Sequence, residues 1–319
     1  MQQPRSRITR SGLLTAAGTL AGFATVVGFA GQWWWVFDLA SHFRVQYALA
    51  LSLGSLVMLA WRQPRWAAVF AGFALINAAL LAPRFLISAE TIAGTDGPTF
   101  RALLANVHAS NRDYERIHQV IAEANPDVIV LLEVTPWLIG QLADLADRYP
   151  HRIAEPREDN FGIALFSRLP LRNAAVITLG PAGLPSLQAE VEADGRWFTL
   201  LGTHPPPPIG ATMTEDRNAQ LDDLARLARQ TRQPLLALGD LNLSPWSPYF
   251  AQLLTDSGLH DSAAGRGLQP SWPAGWLPLW IPIDHGLYSD GIQIRHRAIG
   301  PDLGSDHYPV IVDFQVADL

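Results

Sequence analysis

The 319-residue chain contains no cysteine and no lysine. The absence of cysteine excludes disulfide bonds, thiol nucleophiles and cysteine-ligated zinc sites, and it leaves the redox compartment undetermined. All 23 basic side chains are therefore arginine. Mechanisms that require a Schiff-base lysine or a phosphate-loop lysine are excluded for the same reason.

Charged residues are also scarce, at 16% of the chain, and they are unevenly distributed. Residues 1–98 carry seven arginines and three acidic residues, a net charge of +4. Residues 99–319 carry 16 arginines and 26 acidic residues, a net charge of −10. A region this acidic is a poor match for non-specific binding of duplex DNA, which requires cations that neutralise phosphates.

Three long apolar stretches precede residue 90, at about Leu13–Phe37, Phe43–Trp61 and Trp66–Ile87. Each is close to the roughly 20 residues that a helix needs to cross a bilayer. Tryptophans lie at their edges, as is typical of membrane interfaces. We therefore expect residues 1–87 to form a membrane anchor of about three transmembrane helices. The alternatives are a buried helical core and, for the first stretch alone, a cleaved signal peptide.

The polar segment 88–98, which contains two glycines and a proline, is interpreted as a linker. Residues 99–319 then show short apolar strands and amphipathic helices, which predict two packed sheets covered by helices. The expected helices are Arg112–Ala124 and Glu215–Gln230. The expected strands are Phe100–Val107, Asp127–Val134, Gly162–Ser167, Ala174–Leu179, Ser186–Val191, Trp197–Thr203, Leu235–Leu238, Ile281–Tyr288, Ile292–Ile299 and Pro309–Phe314.

Polar residues stand at the ends of several of these strands. They are Asn106, Glu133, His204, Asp240, Asn242, Asp284, Asp306 and His307. A strand end is rigid and can hold a catalytic group in a fixed position. Carboxylate and amide oxygens suit hard cations, and a histidine held by a carboxylate can stabilise negative charge. Taken singly, each residue has another interpretation: a solvated strand end, an Asx turn or a hydrogen-bonded loop pair.

The order of these motifs resembles the endonuclease/exonuclease/phosphatase family, and the chain is similar to a membrane-anchored bacterial member. The matching stretches are LLANVH, DVIVLLEV, LGTHPPPP, LGDLN, PSWP, PIDH and GSDHYPV, which are spread over nearly the whole range of residues 100–315. The resemblance implies an α+β catalytic domain over residues 99–319, with a four-layer α/β/β/α sandwich. It also implies a metal-dependent hydrolase that acts on phosphoester bonds.

The resemblance also implies a metal site. Glu133 would bind Mg²⁺ or Mn²⁺, with Asn106 and Asp306 near the ion. The chain departs from the family at two positions close in sequence to Glu133 and Asn106. Leu132 stands where many relatives have Gln, and His108 stands where some nucleases have Asp, so a second metal-binding carboxylate is missing there.

The remaining site residues have catalytic roles by the same resemblance. Asp240 would activate or orient the attacking water, and Asn242 would help to position the phosphate. His307 would stabilise charge in the transition state, and Asp284 would orient His307. His204 would contact the phosphate or assist the leaving oxygen.

The substrate class stays open between a lipid headgroup, a small molecule and a nucleic acid. The acidic domain, its membrane anchor and the lack of basic DNA-contacting loops slightly favour the first two over a nuclease. A non-catalytic binding module is the alternative of another class, and a transporter is disfavoured because the apolar stretches contain almost no charge. Arg217 is either a phosphate contact or a solvated helix residue. No protein partner is inferred.

The arginine distribution predicts an inner-membrane, multi-pass protein with its catalytic domain outside the cytoplasm. Arg5, Arg7 and Arg10 precede the first stretch, and Arg62 and Arg65 lie between the second and third. Both groups stay in the cytoplasm by the positive-inside rule, so three spans carry residue 90 to the far side. An alkaline phosphatase fusion at residue 95 is therefore expected to be active. A fluorescent cytoplasmic protein fused at the same residue, with no phosphatase activity, would contradict this orientation.

Overall fold

The computed structural model describes residues 9–86 and 97–317. Its contacts divide the chain into two units. The first unit comprises the residues up to Pro83 together with Trp246–Pro248, and the second comprises the rest of the chain from Arg84 onward. Most of the expected linker lies outside the described residues, as do Arg5 and Arg7.

The first unit is helical. Its helices are α1 (Arg10–Val27), α2 (Trp35–Ser41), α3 (Arg44–Ala60) and α4 (Pro64–Leu81). Two helical segments, Arg10–Ala30 and Pro64–Leu81, are long and apolar enough to cross a membrane, and α2 with α3 makes a third if this pair, bent by 64°, forms one span. The apolar stretch expected to run to Phe37 is thus broken, because Trp34 is extended and α2 begins after it.

The helices of the first unit pack closely where small residues face large ones. Gly18 faces the buried Phe70 so closely that an added Cβ would lie 2.0 Å from the ring. Large apolar side chains also point outward, with Leu20, Leu53 and Leu75 each about two-thirds exposed. Small residues between helices and leucines on the outside are the arrangement expected when the surrounding solvent is lipid.

One arginine is buried in the first unit. The guanidinium of Arg44 donates to the carbonyl of Thr25 at 2.7 Å and lies 4.8 Å from the ring centre of Phe29. Asn77 donates to the hydroxyl of Thr25 at 2.8 Å. A buried cation is stabilised when its donors have partners, and these contacts join α1, α3 and α4 through polar bonds.

The second unit contains two six-stranded sheets. Its strands are β1 (Phe100–Asn106), β2 (Val128–Leu132), β3 (His151–Glu155), β4 (Ile163–Ser167), β5 (Leu171–Thr178), β6 (Pro185–Ala193), β7 (Arg196–Thr203), β8 (Leu235–Asp240), β9 (His260–Asp261), β10 (Asp284–Tyr288), β11 (Ile292–Ile299) and β12 (Val310–Val316). One sheet has the order β11-β12-β1-β2-β4-β3, and the other has the order β5-β6-β7-β8-β10-β9.

The short helix α5 (Pro83–Leu86) begins at the last residue of the first unit. Further helices cover the outer faces of both sheets. They are α6 (Tyr114–Ala124), α7 (Pro136–Gln141), α8 (Leu145–Arg148), α9 (Ala211–Gln230) and α10 (Pro248–Ser257). One core fills the space between the sheets, a second lies under α6 to α8, and a third lies under α9 and α10. The expected α+β fold, with two mixed sheets packed between helices, is confirmed.

Each sheet contains one parallel strand pair joined by a helix, β1-α6-β2 in the first and β7-α9-β8 in the second. The carboxyl ends of parallel strands lie at the same edge of a sheet. The residues that follow these four strands are therefore brought together in pairs. This topology is what places the polar strand ends side by side.

Several elements differ from the sequence-based expectations. The strands β3 and β9 and the helices α7 and α8 are absent from the sequence-based prediction, because each is short. The helix α10 is absent from it as well, although Phe250 and Leu253 recur at helical spacing on its buried side. Arg84 pairs with Asp261 at 2.8 Å. Both side chains of this pair are almost completely buried.

Candidate active site

Four strand ends supply the centre of the site. Asn106 is the last residue of β1, and Glu133 directly follows β2. Asp240 ends β8 and lies opposite Asp284, the first residue of β10, in the antiparallel register. All four side chains are buried. The apolar strands thus deliver three carboxylates and one amide to a single buried region.

His307 lies between two of these carboxylates. Its Nδ1 donates to Oδ2 of Asp284 at 2.8 Å, and its Nε2 lies 3.6 Å from Oδ2 of Asp240. Burial acts to lower the pKa of His307, but the charges of Asp284 and Asp240 outweigh it and raise this pKa to about 10. This raised pKa favours the imidazolium at neutral pH, and its Nε2–H faces Oδ2 of Asp240.

Asp240 also approaches a second histidine. Burial acts to raise the pKa of Asp240, but His307 and His204 together lower it to about 2. His204 Nε2 lies 3.4 Å from Asp240 Oδ2, and although burial acts to lower the pKa of His204, Asp240 raises it. The carboxylate therefore stays ionised with an imidazole on each side.

Asn242 is fixed beside this histidine. Its backbone N–H donates to Oδ1 of Asp240 at 3.0 Å. Its side-chain Nδ2 donates to the carbonyl of Pro205 at 3.0 Å and lies 3.4 Å from Nε2 of His204. The amide is thus held at the same edge as the two histidines.

The side chain of Asn106 connects the two halves of the site. Its Nδ2 donates to Oε1 of Glu133 at 3.0 Å and to Oδ2 of Asp240 at 3.2 Å. Its Oδ1 accepts the backbone N–H of His108 at 3.1 Å. Because one amide contacts a residue from each sheet, Asn106 fixes the distance between them at this edge.

Three residues around the site have left-handed backbone conformations although none is glycine. They are His108, Glu133 and Asn242, with φ angles of 60°, 61° and 53°. This region is disfavoured for residues that carry a Cβ, and such strain concentrates at functional sites. For Glu133, the turn directs the carboxylate back toward Asn106 instead of along the strand.

Seven of the eight residues singled out in the sequence thus form one continuous set of contacts. Asp306 lies at the edge of this set. Its carboxylate is exposed and accepts the indole N–H of Trp272 at 3.0 Å. Among the described residues, no hydrogen bond joins Asp306 to Glu133 or Asn106.

The donor chemistry separates two possible places for a metal ion. Ligand atoms of Asp240, Asp284 and His307 lie within 4.8 Å of one another, but an imidazolium has no lone pair for a metal. Glu133 is a better match, because each of its oxygens accepts one N–H, from Asn106 and from Ala109, and keeps a further lone pair. A carboxylate beside an amide suits a hard divalent cation.

Two buried arginines that support the site were missed or misread in the sequence. Arg217 is fully buried and donates to the carbonyl of Asn242 at 3.2 Å, so a solvated position for Arg217 is wrong. The spacing to Leu221 and Leu224 on α9 would have placed it on the buried face. Arg297 donates to the carbonyl of Asp284 at 2.9 Å, and no local sequence signal marks it.

Ser271 supports Asp284 from the other side. Its hydroxyl is fully buried and accepts the backbone N–H groups of Ile283 and Asp284, at 3.2 and 3.1 Å. Both N–H groups lie just where β10 begins. The hydroxyl therefore fixes the backbone from which the Asp284 carboxylate projects.

A family model described as Endonuclease/Exonuclease/phosphatase family matches residues 103–307. The chain matches no curated protein sequence. Among solved structures, an endonuclease/exonuclease/phosphatase from Beutenbergia cavernae is 23% identical, with a TM-score of 0.56 over 69% of this chain and 72% of that one.

Two eukaryotic proteins have the same fold. The human Nocturnin catalytic domain with bound sulfate is 20% identical, with a TM-score of 0.57 over 69% of this chain and 96% of that one. D. rerio TDP2 complexed with single strand DNA product is 17% identical, with a TM-score of 0.58 over 68% of this chain and 99% of that one. At these identities the likeness concerns the fold.

Replacing Ser271 by alanine is expected to lower the free energy of unfolding by about 1–3 kcal/mol, since two buried N–H groups lose their acceptor. The control is Ser289→Ala, which removes the acceptor of one N–H group, that of Leu235, at the far end of β10. Thermal unfolding of the full-length protein in detergent measures both. A smaller loss for Ser271→Ala than for Ser289→Ala would contradict the assignment.

Proposed function

Because the chain belongs to the endonuclease/exonuclease/phosphatase family, whose members hydrolyse phosphoester bonds, we propose that it is a membrane-anchored, metal-dependent phosphoester hydrolase. The observation that carries this proposal is the buried contact set of His307, Asp284 and Asp240. An imidazolium held between two carboxylates is suited to stabilise negative charge that develops on a phosphoryl oxygen. A binding module without catalysis has no need for this arrangement.

The roles of the protein groups follow from their contacts. Asp240 accepts a hydrogen bond from the attacking water and orients it toward phosphorus. Nε2–H of His307 donates to the phosphoryl group, and Asp284 holds the ring in place from the other side. His204 contacts the phosphate or assists the leaving oxygen, while the Asn242 amide donates to the phosphate. The new bond joins the water oxygen to phosphorus as the bond to the leaving oxygen breaks.

The metal site belongs to the same proposal. Glu133 would hold Mg²⁺ or Mn²⁺, with Asn106 and Asp306 near the ion. A bound divalent ion supplies positive charge to the phosphoryl oxygens. The Glu133 carboxylate keeps lone pairs for this role, whereas the protonated His307 does not.

Two substrate classes are supported unequally. A nuclease is supported by the structural likeness to TDP2, whose structure contains single-stranded DNA. A lipid or small-molecule phosphoester is favoured because residues 99–319 carry a net charge of −10. A polyanion approaching this domain would meet repulsion from the protein surface.

The outward-facing leucines of the first unit support a membrane anchor. They would be costly in water, whereas they match the hydrocarbon of a bilayer. With three spans and the basic segments in the cytoplasm, the catalytic domain would lie outside the cytoplasm. An inner-membrane location with this orientation is therefore part of the proposal.

Removal of divalent ions is expected to abolish hydrolysis of a phosphoester substrate, and added magnesium or manganese is expected to restore it. The Glu133→Gln variant, which removes one negative charge from the donor set, should need more magnesium for half-maximal rate. Rates measured across a magnesium titration check both expectations. Full activity in excess chelator would rule out the metal site.

The variants Asp240→Asn and His307→Ala are each expected to lower turnover by about two orders of magnitude or more, because each removes a group that acts on water or charge in the transition state. Steady-state rates of the purified full-length protein provide the measurement. Matched controls are Asp290→Asn and His260→Ala, at exposed positions away from the site. Near-normal turnover in His307→Ala would refute the mechanism.

A further inference from the structure

An exposed apolar surface lies beside the candidate active site. We define the apolar lip as Trp276, Leu277 and Leu279, at and just before the 3-10 helix Leu277–Leu279. Trp276 and Leu277 are about two-thirds exposed, at 66% and 67%, and Leu279 is 38% exposed. The surrounding segment, residues 270–283, contains no charged residue. Three large apolar side chains on one turn form a patch of the kind that marks an interaction site.

The segment directly before the lip is hydrogen-bonded to the two neighbours of His307 in the sequence, Asp306 and Tyr308. The backbone N–H of Ala274 donates to the carbonyl of Asp306 at 2.7 Å, and the N–H of Gly275 donates to the hydroxyl of Tyr308 at 3.1 Å. The indole of Trp272 donates to the Asp306 carboxylate, and its ring centre lies 6.5 Å from that of His307. A group bound at His307 is therefore next to the segment that carries the lip.

The base of the lip is held rigidly. Ile281 and Trp272 exchange two backbone hydrogen bonds, at 2.6 and 3.1 Å, which close the segment into a loop. The ring of Trp280 packs edge-on against that of Tyr308, with centres 5.8 Å apart. These contacts hold the apolar side chains outward, so their exposure is a built feature of the fold.

A further exposed apolar residue, outside the lip, follows His204 in the sequence. Ile209 is 73% exposed and lies five residues after His204, beyond four consecutive prolines. The ring of Phe161 lies 5.6 Å from that of His204. Apolar groups thus accompany each of the two histidines proposed to contact the phosphate.

The charge of the domain decides which occupant fits. The lip has no arginine within residues 270–283, and the domain carries a net charge of −10, so a nucleic acid would find no cation there. The same chain has helices apolar enough to cross a membrane, which keep it beside lipid. Tryptophan and leucine on an uncharged turn suit the boundary between headgroups and acyl chains.

We propose that the apolar lip binds the hydrocarbon part of a membrane phospholipid, so that the substrate of the site is a lipid phosphoester. This inference rests on the proposed phosphoester hydrolysis. The phosphate of the lipid lies at His307, and its chains pack against Trp276, Leu277 and Leu279. The lip then contributes to the recognition of long-chain lipid and not to the chemical step.

The first test compares one headgroup with and without chains. Full-length protein in detergent receives phosphatidylglycerol in mixed micelles or chainless glycerophosphoglycerol. The variant carrying Trp276→Ser, Leu277→Ser and Leu279→Ser is expected to lose about tenfold or more in kcat/KM on phosphatidylglycerol, because apolar contacts are lost. Its kcat/KM on glycerophosphoglycerol should be unchanged. The matched control, Val176→Ser on β5, should leave both values unchanged.

A second measurement is independent of catalysis. Phosphatidylglycerol with a photoactivatable group in its acyl chain is expected to crosslink to residues 272–280 of the full-length protein, and the lip variant should lose that crosslink. If the unsubstituted protein forms no such crosslink, the proposed binding of lipid chains by the lip is wrong, whether or not the protein hydrolyses a phosphoester. If the protein hydrolyses no phosphoester, the proposed function is wrong. The crosslink then still tests whether the lip binds acyl chains.

Three kinetic outcomes would overturn the inference with hydrolysis intact. Equal losses on the two substrates would make the lip a support of the active site. Unchanged rates on both would leave it without a role in recognition. If single-stranded DNA is added as a third substrate and only its kcat/KM falls in the lip variant, the lip stacks against bases instead.

Discussion

The second unit depends on a balance of buried charge. Asp240 and Asp284 face each other on adjacent antiparallel strands, and like charges at such positions repel. Their burial in a medium of low dielectric would make two bare carboxylates very costly. The imidazolium of His307 between them offsets part of that cost, although burial still raises the pKa of Asp284, and the amide of Asn106 donates to Asp240. The edge of both sheets is organised around this arrangement.

The same balance of buried charge explains why the side chains around the site bond to its backbone. Arg297 and Ser271 each bond to backbone atoms of Asp284, and Arg217 bonds to the backbone carbonyl of Asn242, two residues after Asp240. These backbone contacts fix the positions of the site residues without neutralising a carboxylate. The imidazolium of His307 therefore remains the group that balances the charge of Asp240 and Asp284. Removal of one partner from such a network leaves another buried and unsatisfied, which is why the network behaves as a unit.

Much of this could be predicted from the sequence, because apolar strands that end in a polar residue carry a strong local signal. Asn106, Glu133, Asp240, Asp284 and His307 were found in this way, and the resemblance to a family supplied their roles. The short helices α7 and α8 and the strand β3 have no clear period and depend on the sheets they cover. Arg297 is recognised only through its contact with Asp284, a contact between two strands that local sequence does not encode.

Three side chains at the site occupy backbone conformations that favour glycine. His108, Glu133 and Asn242 each cost the fold stability, by about 1 kcal/mol or more where the side chain is not Asn. Replacing Glu133 by glycine would relieve the backbone strain of the turn, but it would also remove the carboxylate. Mutational drift that selects only for a more stable fold would therefore tend to dismantle the site. Side chains held at such a cost in stability are expected where chemistry, and not the fold, decides the residue.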